Sequence, residues 1–199
     1  MSAVLASPAL ARDPIVARLL GELEIEIAGR RLEWIRSKDG KLVKYLLLEL
    51  SGRASRADLC RLFWPLHDRQ QAAQNLRTTC SNIRTALRRV VPESRVELYF
   101  HCDRREIVLA TELAHTDLSD FTARVAEARG AMDAQRLDLA AELYEAARAL
   151  YRGPLILDAP TETHTAIAAR VEEAWNEIQR TLLALQRIGA RLPALHRVA

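Results

Sequence analysis

Between Arg69 and Arg89 the chain carries five arginines and no carboxylate. A solvated helix of that length ordinarily mixes Glu and Lys at i,i+4 spacing, so an unrelieved run of guanidinium groups points to an external anion. Arginine can fork onto phosphate or onto the O6 and N7 of guanine, and Asn and Gln amides can pair with adenine. Ala73, Leu76, Cys80, Ile83, Leu87 and Val90 recur at steps of 3 and 4, which predicts one amphipathic helix over 68–90 with a continuous core stripe. The opposite face carries Gln74, Thr78, Ser81, Asn82, Thr85 and Arg89, and Arg77, Arg84 and Arg88 line one flank. These are the side chains that major-groove reading requires; an arginine-rich surface that binds no nucleic acid has the same composition.

The stretch before this helix is built to present it. Ser55 with Asp58 three residues on reads as a capping box, and Leu59, Leu62 and Phe63 give a short helix one apolar face before Trp64-Pro65 ends it. Asp68 with Gln71 is a second N-terminal signature. A short capped helix, a stop and a longer polar-faced helix together predict a helix-turn-helix. Upstream, Val16 to Ile27 and Arg31 to Ile35 read as short antiparallel strands around a Gly29-Arg30 turn. Lys38 to Leu50 reads as a helix with Leu42, Val43, Leu46, Leu47 and Leu50 on one face, exposed Lys38, Lys41 and Lys44, and Gly52 as its stop. Downstream, Arg95–Phe100 and Glu106–Leu109 read as a hairpin whose tip carries Arg104 and Arg105. A hairpin after a reading helix is a wing, with the tip arginines either on adjacent phosphates or simply solvated.

Other chemistry is poorly served. Cys60, Cys80 and Cys102 are odd in number and include no Cys-x-x-Cys pair, so they read as buried reduced thiols, and no metal site is expected. No Gly-rich phosphate loop and no supported nucleophile-histidine arrangement is present, so no catalytic residues, no cofactor and no enzyme activity are expected. The first 14 residues, with Pro8 and Pro14, lack a basic region ahead of a hydrophobic run and are expected to form a disordered arm. No segment reaches membrane-spanning length, which predicts a cytoplasmic protein.

The 199 residues suffice for one large or two small domains. Charge divides them: 19 basic against 14 acidic residues give +5 over 1–116, and 7 against 12 give −5 over 117–180. A basic half suits a polyanion, and an acidic half is held away from it.

In order, the strands, the helix, Gly52-Arg53, Ser55-Arg56, Leu62, Trp64-Pro65, Asn75-Leu76-Arg77, Ile83-Arg84 and Leu87-Arg88 resemble the DNA-binding domain of the Streptomyces antibiotic regulatory protein family. That domain is a response-regulator (OmpR-type) winged helix, and the likeness covers roughly residues 15–113. Thr116 to Phe121 and Leu150-Tyr151-Arg152-Gly153-Pro154-Leu155 resemble the bacterial transcriptional activator domain that follows it in this family. Ala140, Tyr144 and Ala147 have the spacing of the second helix of a tetratricopeptide repeat, and Thr161–Leu185 places Ile167, Val171, Ala174, Trp175, Ile178, Leu182 and Leu185 on one face. Two departures stand out: the wing turn lacks the usual glycines, and Asp39-Gly40 sits where relatives carry basic or helix-favouring residues. The activator domain is expected to be truncated to about half its usual extent, and so to present an apolar face to a second copy, as a homodimer, or to another protein partner.

The resulting expectation is an α+β protein: a disordered arm over 1–14, a winged helix-turn-helix over 15–113 and a truncated all-α, tetratricopeptide-like activator domain over 114–199. The resemblance implies a sequence-specific regulator of transcription, most simply an activator, that binds double-stranded DNA and recruits RNA polymerase or another partner. Gln74, Arg77, Thr78, Ser81, Asn82, Arg84, Arg88, Arg89, Arg104 and Arg105 are the expected DNA contacts. The alternative is an interaction module whose winged helix docks a protein instead of DNA.

Overall fold

A computed structural model describes residues 13–49 and 51–195, with side chains through residue 187. Ile15 and Ala17 are buried while Val16 and Arg18 are exposed, the two-residue period of a half-buried strand, β1 (Ile15–Arg18). β2 (Glu24–Ile27) pairs antiparallel with β3 (Arg30–Arg31). The turn between them is Ala28-Gly29, both at positive φ, one residue earlier than expected. The return strand expected to reach Ile35 ends at Arg31.

α1 (Ser37–Leu48) starts where Asp39 Oδ2 accepts the Arg36 N–H at 2.8 Å. Leu42, Val43 and Leu46 are buried as predicted, and Leu50 lies outside the described residues. The exposed lysine face is not formed. Lys44 is buried, and Lys38 donates to the Phe63 carbonyl at 3.0 Å with its Nζ 5.0 Å from the Trp64 ring centre.

β4 (Arg53–Ser55) leads into α2 (Arg56–Phe63). Ser55 Oγ accepts the Asp58 N–H at 3.1 Å, but Asp58 turns its carboxylate to the Ser55 hydroxyl and Arg61 and leaves the Ser55 backbone alone. α3 (Arg69–Arg88) is capped by Asp68, which accepts the Gln71 N–H at 2.8 Å. Its buried stripe is wider than predicted: Ala72, Thr79 and Ala86 join Leu76, Cys80, Ile83 and Leu87, and Ala73 is only half-buried.

The first strand of the expected hairpin is mostly a helix. Over Arg95–Phe100 the sequence reads as β-branched and aromatic, yet α4 (Glu93–Tyr99) follows Pro92, and Val96 and Tyr99 are buried at i,i+3 spacing against the core. Strand begins only at β5 (Phe100–Cys102), which pairs antiparallel with β6 (Glu106–Leu109). β4 joins the other side of β6, so the wing is a three-stranded sheet ordered β4-β6-β5. Gly52 anchors this sheet: its φ is +64°, its carbonyl accepts the Leu109 N–H at 2.8 Å, and a Cβ there would lie 2.4 Å from the Leu109 carbonyl oxygen.

After β7 (Ala114–Thr116) come α5 (Asp117–Asp133), α6 (Leu137–Leu150) and α7 (Glu162–Leu195). The chain forms two compact units. Among the described residues, the first holds those up to Val16 and Ile25–His115, while the second takes Ala17–Glu24 together with the helices, although the sequence assigns that segment to the winged helix. Leu20 is the reason: it lies in the helical core with Phe121, Val125, Tyr144 and Ile178. Asp117 accepts the Leu19 and Leu20 N–H groups at 2.6 and 3.2 Å. Ala140, Tyr144 and Ala147 are all buried, so α6 carries small residues and one aromatic inward, as the repeat-like spacing predicts. Trp175 is half-buried and stacks on Tyr151 with ring centres 4.0 Å apart.

Candidate nucleic-acid interface

In the first unit α3 and the wing tip are brought to one side of a cationic cleft. A cavity of about 500 Å³ is lined by Arg56, Arg77, Ser81, Arg84, Arg88 and Arg104, together with Cys80, Cys102 and Asp103. A neighbouring cavity of about 750 Å³ shares Arg56 and Arg104 and adds Arg61, Arg69 and Arg105. Arg56, Arg61 and Arg69 are not among the expected contact residues. They enter because α2 and the start of α3 fold beside the wing.

The wing tip is held without glycine. Asp103 Oδ1 accepts the N–H groups of Arg105 and Glu106 at 2.6 and 2.8 Å, and these bonds hold its carboxyl below the usual carboxylate range. Arg56 ties the same tip to α2, its N–H donating to the Arg105 carbonyl at 2.9 Å. Arg104 and Arg105 are left exposed.

The ten expected contact residues separate into groups. Arg77, Ser81, Arg84, Arg88 and Arg104 line the first cavity, and Arg105 joins Arg104 in the second. Gln74 on α3 and Arg89 at its C-cap are exposed outside both cavities. Thr78 is half-buried and its hydroxyl donates to the Gln74 carbonyl at 3.2 Å. Asn82 turns toward α1, where its amide donates to Asp39 at 3.4 Å.

No acid on α3 balances its arginines, but α4 supplies two. Arg84 lies 2.7 Å from Glu97, and Arg88 pairs with Glu93; that hydrogen bond holds the Arg88 guanidinium above and the Glu93 carboxyl below their ordinary values. Arg56, Arg77 and Arg104 make no ion pair among the described residues. The departure at Asp39-Gly40 also has a physical reason. Fully buried Asp39 caps α1 and receives Asn82, its carboxyl pushed up by burial, and a Cβ at Gly40 would meet the Trp34 indole at 3.0 Å.

Among the described residues no group of three His, Cys, Asp or Glu could hold a metal ion, and no helix is long and apolar enough to cross a membrane.

Residues 116–198 match the family described as the bacterial transcriptional activator domain. That family is one of transcription regulators and not a class of enzymes. The fold as a whole is similar to that of Mycobacterium tuberculosis EmbR, solved in complex with a low affinity phosphopeptide, with a TM-score of 0.68 at 20% identity. The likeness covers 94% of this chain and 50% of EmbR, so the chain spans half the length of that protein. No curated protein sequence matches the chain. The domain match and the shared fold both support the resemblance to Streptomyces antibiotic regulatory protein-like regulators, and the α+β winged helix with a helical activator domain is the architecture found.

Proposed function

We propose that the chain binds double-stranded DNA sequence-specifically, presenting α3 to the major groove and the wing tip to the flanking backbone, and activates transcription through its helical half. The observation that supports this most directly is the joint lining of one cleft by Arg77, Arg84 and Arg88 of α3 with Arg56 and Arg104 from two other segments. Separate parts of the fold contribute like charges to one surface, which costs folding energy unless a polyanion occupies it. Arg77 and Ser81, exposed on the cleft side, and Gln74, exposed on α3, are the base readers this arrangement favours. Arg104 and Arg105 suit phosphate. Asn82, held by Asp39, and Thr78, bonded to its own helix, serve more simply to set the angle of α3.

The acidic helical half is the part suited to RNA polymerase or another protein, including a second copy of the chain. A bacterial transcriptional activator domain is in keeping with that division.

Fluorescence anisotropy on genomic fragments at about 50 and 200 mM salt tests the reading, because phosphate-driven affinity falls by orders of magnitude over that range. Retention of a short repeated sequence at the higher salt supports a specific regulator. Equal, weak binding to every fragment, or none, favours the winged helix as a protein-docking surface.

A further inference from the structure

Two thiols from different elements line the cationic cleft. Cys80 projects from α3 and Cys102 from β5, and both line the same cavity as Arg56, Arg77, Arg84 and Arg104. Nothing in the fold of the helical stripe demands sulfur at both places. We propose that Cys80 and Cys102 are an oxidisable dithiol that a peroxide closes to a disulfide, fastening the wing strand to α3.

The surroundings suit that chemistry. Cys80 is held below the ordinary thiol value, chiefly by the hydrogen bond from Cys102 and, against the opposing effect of burial, by the guanidinium charges of Arg56 and Arg84. Cys102 is pushed up, so it keeps its proton and is the donor of the pair. Cys80 is therefore the attacking sulfur. Its thiolate attacks one oxygen of hydrogen peroxide, the O–O bond breaks, and the departing hydroxide takes up a proton to leave as water, giving the Cys80 sulfenic acid. The Cys102 sulfur then attacks the Cys80 sulfur. The S–S bond forms, the S–O bond breaks, and the expelled hydroxide leaves as water with the Cys102 proton, so that two thiols and one peroxide become one disulfide and two waters. A cavity of about 500 Å³ opening on Cys80 admits so small a neutral oxidant. Cys60, the third free thiol, sits on α2 and lines the other cavity, and burial pushes it up, which disfavours its thiolate.

The thiol chemistry stands without the DNA reading; only its consequence for DNA rests on that reading. Closing the bond fixes the two sulfurs at about 2.05 Å and so ties β5, and with it Arg104, to α3. A several-fold loss of DNA affinity is expected.

The test treats the reduced full chain with hydrogen peroxide, blocks free thiols, digests it and maps the cysteines by mass spectrometry. Expected are a loss of two hydrogens, a linked Cys80–Cys102 peptide, a free Cys60 and full reversal by dithiothreitol. Cys102→Ser should stop at a Cys80 sulfenic acid trapped by dimedone, and Cys60→Ser should still close. Three unmodified thiols, a link through Cys60 or first oxidation at Cys60 would each overturn the proposal. If neither form binds DNA, the DNA reading fails while the cysteine map still decides the dithiol.

Discussion

Arg84 of α3 and Glu97 of α4 form an ion pair at 2.7 Å, so the carboxylate missing from the arginine-rich helix is supplied from the next one. The second oxygen of Glu97 lies 3.0 Å from His101 Nδ1 on β5, which sets one carboxylate between α3 and the wing strand. A polyanion entering the cleft must compete with Glu97 for Arg84. Glu97→Gln is expected to tighten DNA binding and to steepen the dependence of log K on log salt by about 0.9, the value of one further neutralised phosphate. Arg84→Ala should weaken specific binding by about 1–3 kcal/mol if the guanidinium forks to guanine, and should flatten the slope if it touches phosphate only. Anisotropy titrations across salt measure both, and an unchanged slope and affinity in both variants would remove Arg84 from the interface.

Arg104 and Arg105 stand exposed on a tip stiffened by Asp103. Replacing both by Ala should lower affinity for all sequences alike, leaving sequence preference unchanged. The salt slope should fall by about 0.9 for every phosphate that the two guanidinium groups neutralise in the parent. Anisotropy titrations measure the slope, and selection from a randomised DNA pool checks the sequence preference.

Gly52→Ala is expected to destabilise the winged helix by about 1–3 kcal/mol from backbone strain alone, and by more from the clash with the Leu109 carbonyl. Urea unfolding measures it; a midpoint equal to the parent's would mean that β4 and β6 can separate without cost.

In the helical unit Glu177 accepts from Arg129 at 2.6 Å and from the Tyr144 hydroxyl at 2.7 Å. The hydrogen bond from Arg129 foremost, then that from Tyr144, hold the Glu177 carboxyl below its ordinary value against burial, and Tyr144 itself is pushed up to about 12, first by burial and then by this bond. Because the folded-state value of Glu177 is depressed, its contribution is fully present above the unfolded value, about 4.3, and is lost as pH falls through the folded one. Thermal unfolding of the parent should therefore lose stability on acidification from about pH 5 in a way that Glu177→Gln does not. Tyr144→Phe should cost about 1 kcal/mol at neutral pH.

Asp117→Ala removes the acceptor of two buried N–H groups, those of Leu19 and Leu20, and should cost about 1–3 kcal/mol for each. The loss belongs to the helical unit, so hydrogen exchange in α5 and α6 should rise while α3 is unaffected. Equal loosening of α3 would mean that the two units unfold together.

Much of this was readable from residue types and spacing. The bounds of α2 and α3 follow from Ser55 and Asp68, because capping is local chemistry that needs only three neighbouring residues. The wing and the helical second half follow in the same way, from turn residues, hydrophobic period and family resemblance. Arg95–Phe100 is the counter-example. Its β-branched and aromatic residues suit a strand, and all but Phe100 is helix because Val96 and Tyr99 find buried places one turn apart, a choice made by what they pack against.

The same distinction runs through the candidate site. By itself the sequence determined that an arginine-rich, acid-free face would exist on one amphipathic helix, since periodicity dictates which residues share a face. Only the tertiary structure decided that Glu93 and Glu97 would neutralise part of it, that Asn82 would turn inward to Asp39, that Arg56 would join the cleft, and that Cys80 and Cys102 would line one cavity. Each of those is a meeting of side chains distant along the chain or on different helices and strands. Its existence depends on how separate segments pack around a shared core, and no local period encodes that.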